Sequence, residues 1–146
     1  MLNNTTKAIV FDIGGVLIEN PAEDLIRFFA QHFQVRPSRF RTPYLLHFKE
    51  WEEGRFNEGQ FWSTILKDLE IDGSEILTTH HDFPYSSLWY QAVQDVFETR
   101  SSVFNLVLQL KHKGYTVALL SNTETPTTWW FESQGWGQLF HHSFYS

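Results

Sequence analysis

Two short segments of this chain put reactive groups where a strand runs out. Asp12 closes the apolar run Ala8-Ile9-Val10-Phe11 and is followed by Ile13-Gly14-Gly15. Ser121 and Asn122 close a second run, Thr116-Val117-Ala118-Leu119-Leu120, with Ser121 lying 109 residues beyond Asp12. A carboxylate can attack phosphorus or hold a cation, and a glycine turn can aim backbone N–H groups at anionic oxygens. A hydroxyl can orient those oxygens. Ligands of parallel α/β sheets sit beyond the carboxyl ends of the strands, so two neighbouring strands would unite these groups into a phosphoryl site. Each has an ordinary counterpart: Asp12 as a turn residue, Ser121-Asn122 as a cap on the next helix.

The elements that must position these residues are legible in outline. Neither apolar run alternates, which is how strands buried on both faces of a parallel sheet read. Between them the signals are helical. Asn20 as N-cap, Pro21 at the first helical position and Glu23 in a capping box predict a helix start. Leu25, Ile26, Phe28, Phe29 and Phe33 form its apolar face, and Pro37 closes the segment. A second helix is expected over Tyr44 to Glu52, ending at Gly54, and a third from Asn57 with Gln60 as its capping partner. From Ser74 to Tyr85 the signals are mixed, and Leu88 to Phe97 reads as helix again. Val103, Phe104, Leu106, Val107 and Leu110 then recur at helical spacing, with Lys111, His112 and Lys113 complementing the helix dipole and Gly114 ending it. A helix over Thr127 to Gln134 and a strand at His142 to Tyr145 complete the chain. The fold class is therefore α/β: a strand, a helical insertion, then helix–strand units.

Composition bounds the function. The chain has 146 residues, 42% apolar and 19% charged, a globular balance for one domain. Eleven Lys and Arg stand against seventeen Asp and Glu, a net charge of −6, which argues against nucleic acid or an anionic membrane as partner. The absence of cysteine excludes disulfides, thiolate metal sites and a cysteine nucleophile. No leader pattern and no apolar stretch of ~20 residues is present, so a cytoplasmic location is expected. His141-His142 are adjacent residues that would point to opposite faces of a strand, which speaks against a shared metal, and the adjacent pair His80-His81, in an unassigned loop, has the same problem. Glu50, Glu52 and Glu53 read as a solvated helix face. The aromatic-rich insertion, with Trp51, Trp62 and Trp89, reads as the core of a small helical bundle or in part as the lining of a substrate pocket.

Phe11-Asp12-Ile13-Gly14-Gly15-Val16-Leu17 resembles motif I of the haloacid dehalogenase (HAD) superfamily, and Leu119-Leu120-Ser121-Asn122-Thr123 resembles its motif II. The insertion between them is similar to the α-helical cap of the phosphatase-like branch. The resemblance implies a HAD-like Rossmannoid parallel sheet, incomplete here, with the cap inserted after the first strand. It places the core at residues 1–17 and 101–146 and the cap at 18–100. It implies Asp12 as the nucleophile that forms an aspartyl-phosphate, with Mg²⁺ held by Asp12 and the carbonyl of Gly14. Ser121, Asn122 and the backbone of Ile13 and Gly14 would bind the phosphoryl group. The implied substrate is a small phosphorylated metabolite.

The sequence departs from the family's pattern in two ways. Many members carry a second Asp two residues after the nucleophile as general acid and base, and Gly14 stands there instead. No residue is assignable to motif III, which contributes a Lys, or to motif IV, which contributes acidic Mg²⁺ ligands. The first strand would then be an edge rather than central, and self-association through that open edge is expected. The rival readings are a truncated, non-catalytic fragment that binds a partner and, more weakly, a dehalogenase.

Overall fold

The apolar run Ala8–Phe11 forms strand β1, and Thr116–Ser121 forms β2 directly beside it in parallel. Both belong to residues 7–73 and 87–146, which the computed structural model describes; the mixed-signal stretch and the His80-His81 pair lie outside them. Between the strands come α1 (Ala22–His32), α2 (Pro37–Glu52), α3 (Glu58–Asp68), α4 (Leu88–Val96) and α5 (Ser101–His112). After β2 follow α6 (Thr125–Ser133), a 3-10 turn at Trp136–Leu139 and β3 (His142–Tyr145). The sheet of the described residues has the order β1-β2-β3, with Phe11 opposite Leu119 and Ser121 opposite Tyr145. Parallel pairing requires crossovers, which α5 and α6 help to supply.

Burial corrects one expectation from the sequence. Phe11, Val117, Leu119 and Ser121 are buried, but Val10, Leu120 and Phe144 are 59, 56 and 58% exposed. Both strands are therefore covered on one face only. The connections into β2 and into β3 step in the same direction, and right-handed crossovers then lay α5 and α6 on the same side. The uncovered side is apolar as well, which is why the runs showed no alternation. The apolar stripe of α5 is likewise only partly used: Val107 is buried, whereas Leu106 is 45% exposed. Among the described residues strand β1 lies at an edge of the sheet.

Helices α1 to α4 pack around aromatic rings. Phe29 of α1 is fully buried and lies against Phe28, Phe40, Tyr44, Trp62 and Trp89, at ring separations of 4.7 to 6.4 Å. Helix α4 also packs on α6, tying the insertion to the sheet layer. The capping box expected at α3 is present: the Gln60 N–H donates to Asn57 Oδ1 at 2.9 Å and the Asn57 N–H to Gln60 Oε1 at 3.0 Å. The one expected at α1 is not. That helix starts at Ala22, whose N–H donates to Asn20 Oδ1 at 3.2 Å, and Glu23 instead forms a two-pronged ion pair with Arg41 of α2. A bidentate guanidinium offers the carboxylate more than a single backbone N–H does.

Helix α2 begins at Pro37, well before Tyr44, and contains Pro43 in its interior. Helix α6 begins at Thr125, two residues before the expected start. Helices α1 and α3 end on non-glycine residues in the left-handed region, Gln34 (φ 54°) and Glu70 (φ 56°). The next residue then donates back to the helix, Val35 N–H to Ala30 O and Ile71 N–H to Leu66 O, both at 2.9 Å. This is the usual cap made by glycine, built here without one.

Candidate active site

The turn after β1 is tightly wound. The N–H groups of Val16, Leu17 and Ile18 all donate to the Ile13 carbonyl, at 3.2, 2.9 and 3.1 Å. Such convergence needs a left-handed residue in the loop, and Gly15 supplies it at φ +71°. The chain then runs alongside residues 98–100, where Glu19 N–H donates to Glu98 O and Arg100 N–H to Leu17 O, both at 2.8 Å. Ile13 itself is buried and anchors the loop, while Asp12 and Gly14 remain exposed at the strand end.

Parallel pairing with β2 brings Ser121 to Asp12. The Ser121 hydroxyl donates to Asp12 Oδ1 at 2.7 Å, and the Ile13 N–H donates to the same oxygen at 2.7 Å. Among the described residues Oδ2 accepts no hydrogen bond, so one carboxylate oxygen is held and the other is left to face a ligand. Asn122 follows at the edge, its Oδ1 accepting from the Ser146 hydroxyl at 3.3 Å. All five residues singled out from the sequence (Asp12, Ile13, Gly14, Ser121 and Asn122) line one cavity of about 200 Å³. Its roof comes from the helical insertion, through Tyr44, Phe48, Glu52 and Trp89. A second cavity of about 790 Å³ adjoins it, lined by Trp51, Phe56 and Asn57 on one side and Pro126 and Trp129 on the other; Glu52, Thr123 and Glu124 border both.

Three residues of this site escaped the sequence reading. Glu124, the N-cap of α6, is half-buried and borders both cavities. Burial pushes it up from 4.5 to about 7; its own backbone N–H and the Thr127 and Thr123 hydroxyls pull the other way, and Glu52 adds repulsion. Glu52 was read as part of a solvated acidic face. Glu53 and Glu50 do pair with Arg55 on the surface, but Glu52 borders the cleft, where partial burial and then Glu53 raise it. The third is Thr127, whose hydroxyl accepts from the Trp89 indole N–H at 2.9 Å. The histidine pair His141-His142 is structural at its first member, whose Nδ1 accepts from the Val117 N–H at 3.0 Å.

The raised Glu124 carries a stability consequence. The unfolded chain ionises this carboxyl near 4.5 and the folded chain only near 7. The folded state is thus unaffected by it below pH 4.5 and loses stability as pH rises through that window, by on the order of 3 kcal/mol above pH 7. Glu124→Gln is expected to melt higher than the parent at pH 8 and to match it at pH 4.5. Equal melting temperatures at both pH values would contradict the raised value.

The sequence matches the haloacid dehalogenase-like hydrolases over residues 6–146. The chain belongs to that family. No curated protein matches it. Solved HAD structures share the fold. A HAD family enzyme from Bacteroides thetaiotaomicron is 20% identical, with 97% of this chain and 68% of that one covered at a TM-score of 0.65. The same enzyme in complex with magnesium and inorganic phosphate aligns at a TM-score of 0.60 with 20% identity, over 96% of this chain and 68% of that chain. YfnB from Bacillus subtilis, bound to magnesium, is 15% identical at a TM-score of 0.65, covering 98% of this chain and 66% of its own. No helix among the described residues is long and apolar enough to cross a membrane.

The donor set of this HAD-like site suits a hard, hydrated cation. The Asp12 carboxylate and a neighbouring peptide carbonyl offer oxygen ligands of the kind Mg²⁺ prefers while keeping several waters. Among the described residues no group of three or more His, Asp or Glu converges on a metal position. The fit is therefore to a weakly held ion.

Proposed function

We propose that this HAD-like hydrolase is a phosphatase of small phosphomonoesters that works through an aspartyl-phosphate on Asp12. The observation that carries the reading is the Asp12 carboxylate itself, pinned through Oδ1 by the Ser121 hydroxyl and the Ile13 N–H in a cavity roofed by the insertion helices. Holding one oxygen orients the other for in-line attack and removes the entropy of aligning it. The Gly14 N–H and the Asn122 side chain would receive the phosphoryl oxygens, joined by the Ile13 N–H and the Ser121 hydroxyl if these turn from Asp12 Oδ1 to the bound substrate. The insertion helices roof the cavity through Tyr44, Phe48 and Trp89, and a substrate seated beneath them would displace water and strengthen these polar contacts. Mg²⁺, when bound by Asp12 and the Gly14 carbonyl, would neutralise charge between the carboxylate and the phosphate dianion.

No Lys or Arg occurs among the described residues lining either cavity. A missing well-placed donor commonly costs ~3 kcal/mol of transition-state stabilisation, about a hundredfold in rate. Turnover of a generic aryl phosphate by the 146-residue chain is therefore expected to be very slow, and a single-turnover measurement with protein in excess is the appropriate assay. Incubation with radiolabelled phosphomonoester and Mg²⁺, followed by acid quench, should trap label on Asp12 as a hydroxylamine-labile acyl phosphate. Label that survives Asp12→Asn would overturn the reading.

The metal makes a separate prediction. With one carboxylate and neutral oxygens as ligands, Mg²⁺ should bind with a dissociation constant in the millimolar range, on the order of the weakest oxygen-ligand sites. Titration calorimetry showing micromolar binding would mean that further charged ligands exist.

A further inference from the structure

Glu124 stands at the junction of the two cavities. The smaller one holds Asp12 and Ser121, and the larger one has the room for whatever the phosphate is attached to. On the phosphatase reading, the oxygen bridging phosphorus to that remainder lies where the cavities meet, and Glu124 lines both. Its orientation is enforced across the interface between insertion and sheet layer. The Trp89 indole N–H of α4 donates to Thr127 Oγ1 at 2.9 Å, and that hydroxyl donates to Glu124 Oε2 at 3.2 Å. Both threonine hydroxyls, of Thr123 and Thr127, go to Oε2, and Oε1 accepts from no side chain among the described residues.

The other titratable side chains of the smaller cavity are Asp12, Tyr44 and Glu52, and the larger adds Glu58 of α3, whose carboxylate is taken up by the Trp62 indole N–H, the Ser87 hydroxyl and the Trp89 backbone N–H. Asp12 is committed to phosphorus. Tyr44 of α2 is driven far up by burial and then by the two glutamates, so it neither gives nor takes a proton near neutrality. Glu52, also from α2, remains exposed at the rim. We infer that Glu124 is the general acid and base of the reaction, the role for which Gly14 has no side chain; this rests on the phosphatase reading above. In the first half, Asp12 Oδ2 bonds to phosphorus, the bond from phosphorus to the leaving oxygen breaks, and that oxygen takes the Glu124 proton and departs as an alcohol. In the second half, water attacks phosphorus and gives one proton to the Glu124 carboxylate. The Asp12–phosphorus bond breaks, and phosphate leaves with both residues restored. The shift of Glu124 toward neutrality keeps a useful fraction protonated at physiological pH.

The test compares leaving groups in single turnovers of the 146-residue chain with Mg²⁺, protein in excess, on 4-nitrophenyl phosphate and on a simple alkyl phosphate. A nitrophenolate needs no proton to depart, whereas an alkoxide does. Glu124→Gln should slow alcohol release by ~10²–10⁴-fold from the alkyl ester and by far less, under ~10-fold, from the nitrophenyl ester. Release from the alkyl ester should fall as pH rises through about 7 in the parent, where Glu124 ionises. Glu52→Gln removes the repelling neighbour and should move that limb to lower pH, an effect that a merely structural Glu124 would not produce. Circular dichroism at pH 5 checks that the variants are folded. Equal losses on both esters, or no loss on either, would overturn the assignment of Glu124. If the parent releases no alcohol from either ester, or if release persists in Asp12→Asn, the phosphatase reading itself fails, and the assignment of Glu124 fails with it.

Discussion

Asp12→Asn is expected to bring phosphoryl release down to the uncatalysed level. The carboxamide keeps the shape of the side chain, and its oxygen can still accept from the Ser121 hydroxyl and the Ile13 N–H, which both bond Oδ1 in the parent at 2.7 Å. The fold around the turn should therefore survive. What is lost is the anionic oxygen that would attack phosphorus, together with the charge that would hold Mg²⁺. Removing a covalent nucleophile commonly costs on the order of 10⁴–10⁶-fold in rate, because neither binding nor electrostatic support can replace the bond it forms. The measurement is single-turnover release from 4-nitrophenyl phosphate, with a chelator arm beside it. Asp12→Asn and the chelated parent should both sit at background. A variant within tenfold of the parent would mean that another group attacks phosphorus.

Phe29→Ala is expected to produce the largest loss of stability. The ring is fully buried and meets Trp62 at 4.7 Å, Phe28 at 5.4 Å and Trp89 at 5.5 Å, with Phe40 and Tyr44 slightly farther. Truncating it opens a cavity that rigid neighbouring rings cannot collapse to fill, and such changes cost ~3–5 kcal/mol. That is a large share of the ~5–15 kcal/mol by which a domain is normally stable. The consequence reaches the site, because Trp89 stacks on Phe29 and its indole N–H positions Thr127 beside Glu124. Phe144→Ala, on the uncovered sheet face at 58% exposure, provides the contrast and should change stability by less than ~0.5 kcal/mol. Urea denaturation of the two variants separates these cases through their midpoints. A shift for Phe29→Ala below ~1 kcal/mol would show that the aromatic cluster is not the core it resembles.

The elements with unmistakable local signals were legible. Apolar runs ended by a polar edge read correctly as strands, and Asn57 with Gln60 and the glycine after α5 marked real helix termini, because those interactions span three or four residues. Where a stronger distant partner competed, local signals misled. Glu23 found Arg41 rather than its own helix start, Pro43 stood inside a helix whose first turns it concealed, and Gln34 and Glu70 took left-handed conformations usually left to glycine. The strands' coverage was also misjudged. A run without alternation has apolar residues on both faces, but whether both faces are covered depends on which side the crossovers place their helices.

The sequence alone singled out the carboxylate and its hydroxyl partner, since Asp12 and Ser121 sit at the ends of apolar runs that read as parallel strands. Parallel registration then brings them within a hydrogen bond as a matter of backbone geometry. Only the tertiary structure decided which carboxylates join them. Glu52 and Glu124 lie 72 residues apart on different layers, and each looks like an ordinary surface glutamate in its own segment. The packing of α4 on α6 and the placement of α2 over the strand ends enclose both around one cleft. A carboxyl group's acidity depends on the atoms crowded around it, and sequence spacing carries no record of that crowding.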